Sequence, residues 1–246
     1  MSILQNVLFG KTSGGAFSAT GGEVSTVGSY TLHTFTSSAD FTVTGTGQVD
    51  IFLVGRGGNG ANASAAYHGR GGNGGEVITT SSISLSSNAY GVRVGGSGDL
   101  YGTTEIFSGF YQDVSTLLFQ ARGGGNGTVS TNANGAPGGT GAYDQNSGGS
   151  GYPSNGNGGS GESNNWTGAT IYYGGGGGGG GYVSGFSNSG GTGGGGRGAN
   201  TAATAYTADA GQTNTGGGGG GGARQGSPYT GKQGGSGIVI IRYLTP

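Results

Sequence analysis

Alternation of apolar and polar residues begins at about Ser29 and is confined to short windows. Tyr30-Thr31-Leu32-His33-Thr34-Phe35-Thr36 and Phe41-Thr42-Val43-Thr44 step with period two and are rich in β-branched and aromatic residues, which predicts strands. Val49-Asp50-Ile51-Phe52-Leu53-Val54 is more continuously apolar, the pattern of a central strand covered on both faces. Further strands are predicted at Glu76–Thr80, Ser82–Leu85, Tyr90–Val94, Thr104–Phe107 and Thr116–Ala121. The strongest strand pattern is the last, Gly237–Leu244. No window has a 3.6-residue apolar period, so almost no α-helix is expected.

From about Arg122 to Gly237 the chain is Gly, Ser, Asn, Thr and Tyr with few aliphatics, and uninterrupted glycine runs occupy Gly174–Gly181 and Gly216–Gly222. Such a block has no side chains for an oily core, yet a buried-type strand follows it. The pattern therefore predicts an all-β protein: a β-sandwich of residues 29–121 completed by the strand within 238–246, with 122–237 as an excursion. A structureless loop of that length is foreign to a compact domain, so the excursion needs regular structure of its own. Extended left-handed threefold helices of the polyglycine II kind provide it. They make no internal hydrogen bonds and rise roughly 3.1 Å per residue. Without Cβ atoms, neighbouring helices can approach and bond N–H to C=O between themselves, which satisfies otherwise orphaned backbone groups. Eight glycines would span roughly 25 Å at that rise. Residues 1–28, with an apolar piece at Ile3, Leu4, Val7, Leu8 and Phe9, are either a first strand or an attachment segment for another protein, and attachment is favoured because the regular pattern starts after them.

Composition sharpens this picture. Glycine contributes 68 and proline 4 of 246 residues, a share of the roughly 25–30% that usually marks disorder. Charged residues are only 8%, however, whereas disordered chains are commonly highly charged. The formal net charge of −1 gives no electrostatic case for nucleic acid or anionic membranes. Cysteine is absent, which removes disulfide and thiolate chemistry. The N-terminus lacks the basic region of a secretory signal, and no apolar window is long enough to span a membrane. Synthesis in a cytoplasm is expected.

The order of segments resembles the glycine-rich domain of bacteriophage tail-fibre and tail-tip proteins. The likeness runs from YTLHTFTSSADFTVTG (30–45) through VDIFLVGRGGNG (49–60), GGNGGEVITTSSISL (71–85), YGVRVGGSG (90–98) and LLFQARGGGNG (117–127) to GGSGIVIIRY (234–243). It covers roughly 29–245. The resemblance implies a non-enzymatic virion protein that recognises a host-surface glycan or outer-membrane protein through loops between glycine tracts. Its N-terminal segment would join other tail, fibre or baseplate proteins. No heptad repeat or long shaft precedes residue 29, so the chain would be a tip, a short fibre or a baseplate-attached knob, and monomeric tip and homotrimer both stay open. An alternative is a purely structural virion component: a collar, baseplate plug or capsid decoration.

Gly10-Lys11-Thr12 lacks the glycine five positions earlier that a phosphate-binding loop needs. GRGGNG occurs at 55–60 and 69–74, with a near copy at 122–127. A third reading is RNA binding through these arginines, and the plainer one is that each arginine bonds carbonyls at an edge of the glycine lattice. His33 is expected on the solvent face of its strand, and His68 in a glycine-flanked loop. No nucleophile elbow or metal spacing is present, so no catalytic, cofactor or metal site is assigned. Tyrosine and tryptophan among Ser, Gly and Asn are the chemistry of recognition loops. The receptor-contact candidates are Tyr143, Tyr152, Trp166, Tyr206 and Tyr229, whereas Tyr172, Tyr173 and Tyr182 flank the eight-glycine run and are expected to pack.

Overall fold

The computed structural model describes residues 16–96, 102–112, 116–130, 156–181, 188–200, 207–224 and 230–246. Among these the protein is all-β with no helix. Its strands are β1 (Ser18–Thr20), β2 (Glu23–Val27), β3 (Tyr30–Phe35), β4 (Ala39–Val54), β5 (Val77–Arg93), β6 (Thr104–Ser108), β7 (Thr116–Ala121), β8 (Glu162–Asn164), β9 (Ile171–Tyr173) and β10 (Ile238–Leu244). Eight of them form one antiparallel sheet in the order β2-β3-β10-β4-β5-β6-β7, with β1 on the edge of β4. β8 and β9 form a separate hairpin.

The last strand closes the fold across the whole chain. Val239–Leu244 pairs with Phe35–Tyr30 on one side, and Ile238–Arg242 pairs with Val54–Asp50 on the other. Its period of two is buried on both faces. Val239, Ile241 and Tyr243 join a cluster with Phe35, Phe41, Ile51, Leu53, Val92 and Ile106. Ile238 and Ile240 join Leu32, Phe52, Val54, Trp166 and Tyr173. The first cluster draws side chains from β3 through β7 and β10, so the single sheet curls over its own inner face. The β8–β9 hairpin covers the outer one.

Sequence breaks in β4 and β5 are bulges inside continuous strands. Register shifts fall between Val43 and Thr46 and between Val49 and Ile51. Gly45 takes φ +80° at the first shift, and Ser82 takes φ +59° opposite the second, where its N–H donates to Asp50 Oδ1 at 3.1 Å. A bulge bends and twists a strand without ending it, which is how strands of 16 and 17 residues turn around the core.

Two expectations change. Residues 18–20 and 23–27, within the segment read as 1–28, are strands of the sheet; residues 1–15 lie outside the described ones. His33 is fully buried, not solvent-facing, because β3 is covered on both faces. Its Nδ1–H donates to the Gly21 carbonyl at 2.7 Å, leaving Nε2 to accept from the Tyr243 hydroxyl at 3.4 Å. Burial lowers the His33 pKa from its ordinary value, and the Gly21 bond opposes this in part.

The glycine block is ordered by bonds between extended threads, whose partners advance three residues at a time. Gly175, Gly178 and Gly181 donate to the carbonyls of Gly193, Gly196 and Ala199; Gly176 and Gly179 donate to Gly159 and Gly156; Gly177 and Gly180 donate to Gly72 and Gly69. A step of three is the repeat of a threefold extended chain. Gly216–Gly222 lies at the centre, bonded to segments 58–61, 69–75, 175–178, 196–199, 209 and 232–236. Both glycine runs are wholly buried. The three GRGGNG-type segments form a triangle. Gly58 donates to Asn73 and Ala61 to Arg70; Asn73 donates to Gly125 and Arg70 to Thr128; Gly124 donates to Arg56 and Gly127 to Asn59. The repeat is thus a structural unit, three threads bonded cyclically.

Candidate functional site

The direction of each thread follows from its bonds. Residues 55–61 leave the sheet from the end of β4, and 69–75 return into β5; likewise 122–128 leave β7 and 231–237 return into β10. Gly219 and Gly222 donate to Gly58 and Ala61, so 216–222 runs outward alongside 55–61. By the same rule 174–181 and 194–199 run outward, and 156–161, 188–192 and 207–212 run back. The connections near the sheet are tight: turns at 192–194 and 213–216, and the β8–β9 hairpin. The other ends of the described threads lie away from the sheet. There the described chain stops at Ser130, Gly181, Asn200 and Arg224 and resumes at Gly156, Asn188, Thr207 and Thr230.

Bonds draw those ends together. Gly181 donates to Ala199, whose carbonyl also accepts from Asn188 Nδ2 at 2.9 Å, and Gly179 donates to Gly156. His68 is buried and joins three segments: its carbonyl accepts from Ser130 N–H at 2.9 Å, and its Nδ1 accepts from Arg224 N–H at 3.0 Å. The Arg224 guanidinium donates to the Ala66 carbonyl at 2.9 Å, and Asn62 Oδ1 accepts from Gly231 N–H at 3.0 Å. Residues 62–68 are the described connection at this end, tightened by the Ser64 hydroxyl accepting from Tyr67 N–H at 3.0 Å. Tyr67 is exposed there, as is Val129.

Of the five contact candidates, Tyr143, Tyr152, Tyr206 and Tyr229 lie outside the described residues, as does Tyr182. By chain position, 143 and 152 fall between Ser130 and Gly156, 206 between Asn200 and Thr207, and 229 between Arg224 and Thr230. Trp166 differs: it is a core residue at the sheet end, only 8% exposed. Its ring lies 6.0 Å from Phe52, and the Arg242 guanidinium sits 4.0 Å above it and 4.4 Å from Tyr30. Arg242 also pairs with Asp50 at 3.1 Å. With this packing the ring has little surface to offer a receptor. Tyr173 packs against Phe52 as expected, and its burial raises the phenol pKa, whereas Tyr172 is exposed and not packed. Tyr67, in a Ser/Ala turn between two GRGGNG copies, is an exposed ring beside these chain ends that lies outside the candidate set.

The arginines of the repeat divide. Arg56 is buried and donates to Asn59 Oδ1 at 2.6 Å, while Arg70 and Arg122 are exposed. Arg56 therefore bonds a side-chain carbonyl within the lattice.

No curated protein matches this chain. The family of glycine-rich domains matches residues 31–244, which spans all strands from β3 to β10 and the whole thread lattice between them. The chain belongs to this glycine-rich domain family.

Proposed function

We propose that the protein is a non-enzymatic component of a bacteriophage tail fibre or tail tip, recognising a host-surface glycan or outer-membrane protein at the far end of its lattice. The observation that carries this reading is the convergence of thread ends. Among the described residues the thread ends at Ser130, Gly181, Asn200 and Arg224 lie at one end, and by chain position the segments that follow them include Tyr143, Tyr152, Tyr206 and Tyr229. A lattice of mutually bonded threads is a stiff support, and recognition rings gain from being held on a rigid scaffold. The sheet end, with the N-terminal segment leading into β1, would face the rest of the virion.

The test is adsorption by folded Tyr152→Ala and Tyr229→Ala variants. A binding hot spot is worth ~2 kcal/mol or more, so at least one variant should bind host cells roughly 30-fold more weakly. Wild-type adsorption by both would remove these rings from the proposal. A particle map with the far end packed against other virion proteins would favour the purely structural component instead.

A further inference from the structure

Six Asn–Gly dipeptides occur in the chain, beginning at Asn59, Asn73, Asn126, Asn134, Asn155 and Asn157. Two of the described ones bond identically. Asn126 Oδ1 accepts the backbone N–H of Asn59 at 2.8 Å, and Gly127 N–H donates to the carbonyl of that same Asn59 at 2.8 Å. Asn157 Oδ1 accepts the N–H of Ser189 at 3.0 Å, and Gly158 N–H donates to the Ser189 carbonyl at 2.9 Å. Each unit embraces one residue of the facing thread, its side-chain amide standing in for a carbonyl. At Asn59–Gly60 the same atoms are engaged by separate residues: Oδ1 accepts from Arg56 at 2.6 Å and Gly234 at 3.1 Å, and Gly60 donates to Lys232 at 2.8 Å.

These are the two groups that react in deamidation. The glycine nitrogen attacks the asparagine Cγ, a Cγ–N bond forms, the Cγ–Nδ2 bond breaks, and the displaced proton leaves with ammonia. One water then opens the cyclic imide at either carbonyl, giving aspartate or isoaspartate, with no oxidation or reduction. In the folded lattice the attacking nitrogen is held by its bond to the facing carbonyl, and the amide under attack is held by the facing N–H. Asn126 is exposed, so exclusion of water does not protect it.

We propose that Asn126–Gly127 and Asn157–Gly158 are latent isomerisation sites held closed by the threads they clamp, so that opening of the lattice becomes irreversible there. Aspartate would keep an acceptor in place. Isoaspartate would route the main chain through Cβ and lengthen it by one atom, spoiling the three-residue step on which every later bond of that thread depends.

The test is peptide mapping by mass spectrometry of the intact chain held in mildly alkaline buffer, native and in denaturant. Deamidation at Asn126 and Asn157 should be at least ~100-fold slower in the native protein, a factor matching the hydrogen-exchange protection of the Gly127 and Gly158 amides. Chains that acquire isoaspartate while unfolded should fail to recover that protection on removing denaturant. The proposal is overturned by native rates within about threefold of the unfolded ones, by slow native deamidation beside unprotected glycine amides, or by isoaspartate chains that refold with full protection.

Discussion

The sheet and the thread lattice bury their interiors by opposite means. In the sheet, Phe35, Phe41, Phe52, Ile51 and Ile241 are almost wholly removed from water, and large side chains fill the space. In the lattice, Gly174–Gly181 is equally buried, yet what is buried is peptide. The first interior is driven by apolar area, worth about 25 cal/mol per Å². The second is directional: glycine gives up the most backbone freedom on ordering, and each inter-thread bond returns only ~0.5–1.5 kcal/mol net. Many bonds must therefore form together, and clamping by the sheet and the β8–β9 hairpin shares the task. The lesson concerns substitution. In one region a residue is sensitive because it is large, and in the other because it has no side chain.

Gly177→Ala should break the comparison most severely. A Cβ there would land on the carbonyl oxygen of Gly219, far inside the 3.0 Å that real Cβ atoms essentially never cross. Ordinary overpacking costs ~1–3 kcal/mol because side chains can shift. Here only backbone can move, and Gly177 and Gly219 both belong to runs bonded on several sides. Denaturant unfolding should show a loss above that range, or no cooperative lattice at all. Wild-type stability would mean that the threads slide freely.

Trp166→Ala comes next, with a loss of ~3–5 kcal/mol typical of a large aromatic removed from a core. It would uncover Phe52 and leave Arg242 with Tyr30 and Asp50 alone. A double-mutant cycle with Arg242→Leu should return ~0.5–2 kcal/mol for the ring–guanidinium contact. If Trp166→Ala instead leaves stability intact and abolishes adsorption, the ring is a contact residue after all.

The two regions were also unequally legible. Period-two alternation located β3 and the start of β4, and short apolar, β-branched runs located β6, β7 and β10. β4 and β5 read as fragments, since Gly45 and Ser82 look like ends and act as bulges. The three-residue strands β8 and β9 are too short to display a period, and they exist because Trp166 and Tyr173 pack on Phe52. β2 is almost entirely exposed, so nothing in its pattern announces an interior. His33 was misplaced because alternation opposite Leu32 means solvent only when one face is wet. In the glycine block, composition implied threads but could not say which thread bonds which. A one-residue slip along eight glycines changes no side chain, so register comes from what flanks the runs: strand ends, turns at 192–194 and 213–216, and asparagines such as Asn126 and Asn157. The convergence of thread ends was hidden for the same reason, since it depends on direction.

A smaller effect tests the sheet alone. His33 is held neutral by burial, so its folded pKa lies below that of the unfolded chain. The unfolded state then binds more protons as pH falls, and stability rises with pH through this range. Its contribution is fully present above the unfolded value of ~6.5 and is lost as pH drops from there toward the folded value. Urea unfolding at a series of pH values should show this slope, and His33→Gln should flatten it. An unchanged slope would assign the acid sensitivity to other groups.

The smallest effect is expected at Gly96, for which its neighbour Gly95 supplies the contrast. At Gly95 a Cβ would strike the carbonyl oxygen of Gly102, whereas at Gly96 the nearest atom among the described residues is the Val94 carbonyl oxygen at 4.0 Å. Neither glycine needs a left-handed backbone. Gly95→Ala should therefore destabilise like a lattice position, while Gly96→Ala should change stability by less than ~0.5 kcal/mol or stabilise by ~0.4–1 kcal/mol through a less free unfolded chain. Thermal unfolding of the two variants side by side separates space from composition. If both behave alike, glycine content and not the closeness of neighbouring backbone sets the sensitivity, and the contrast between the two interiors loses its physical basis.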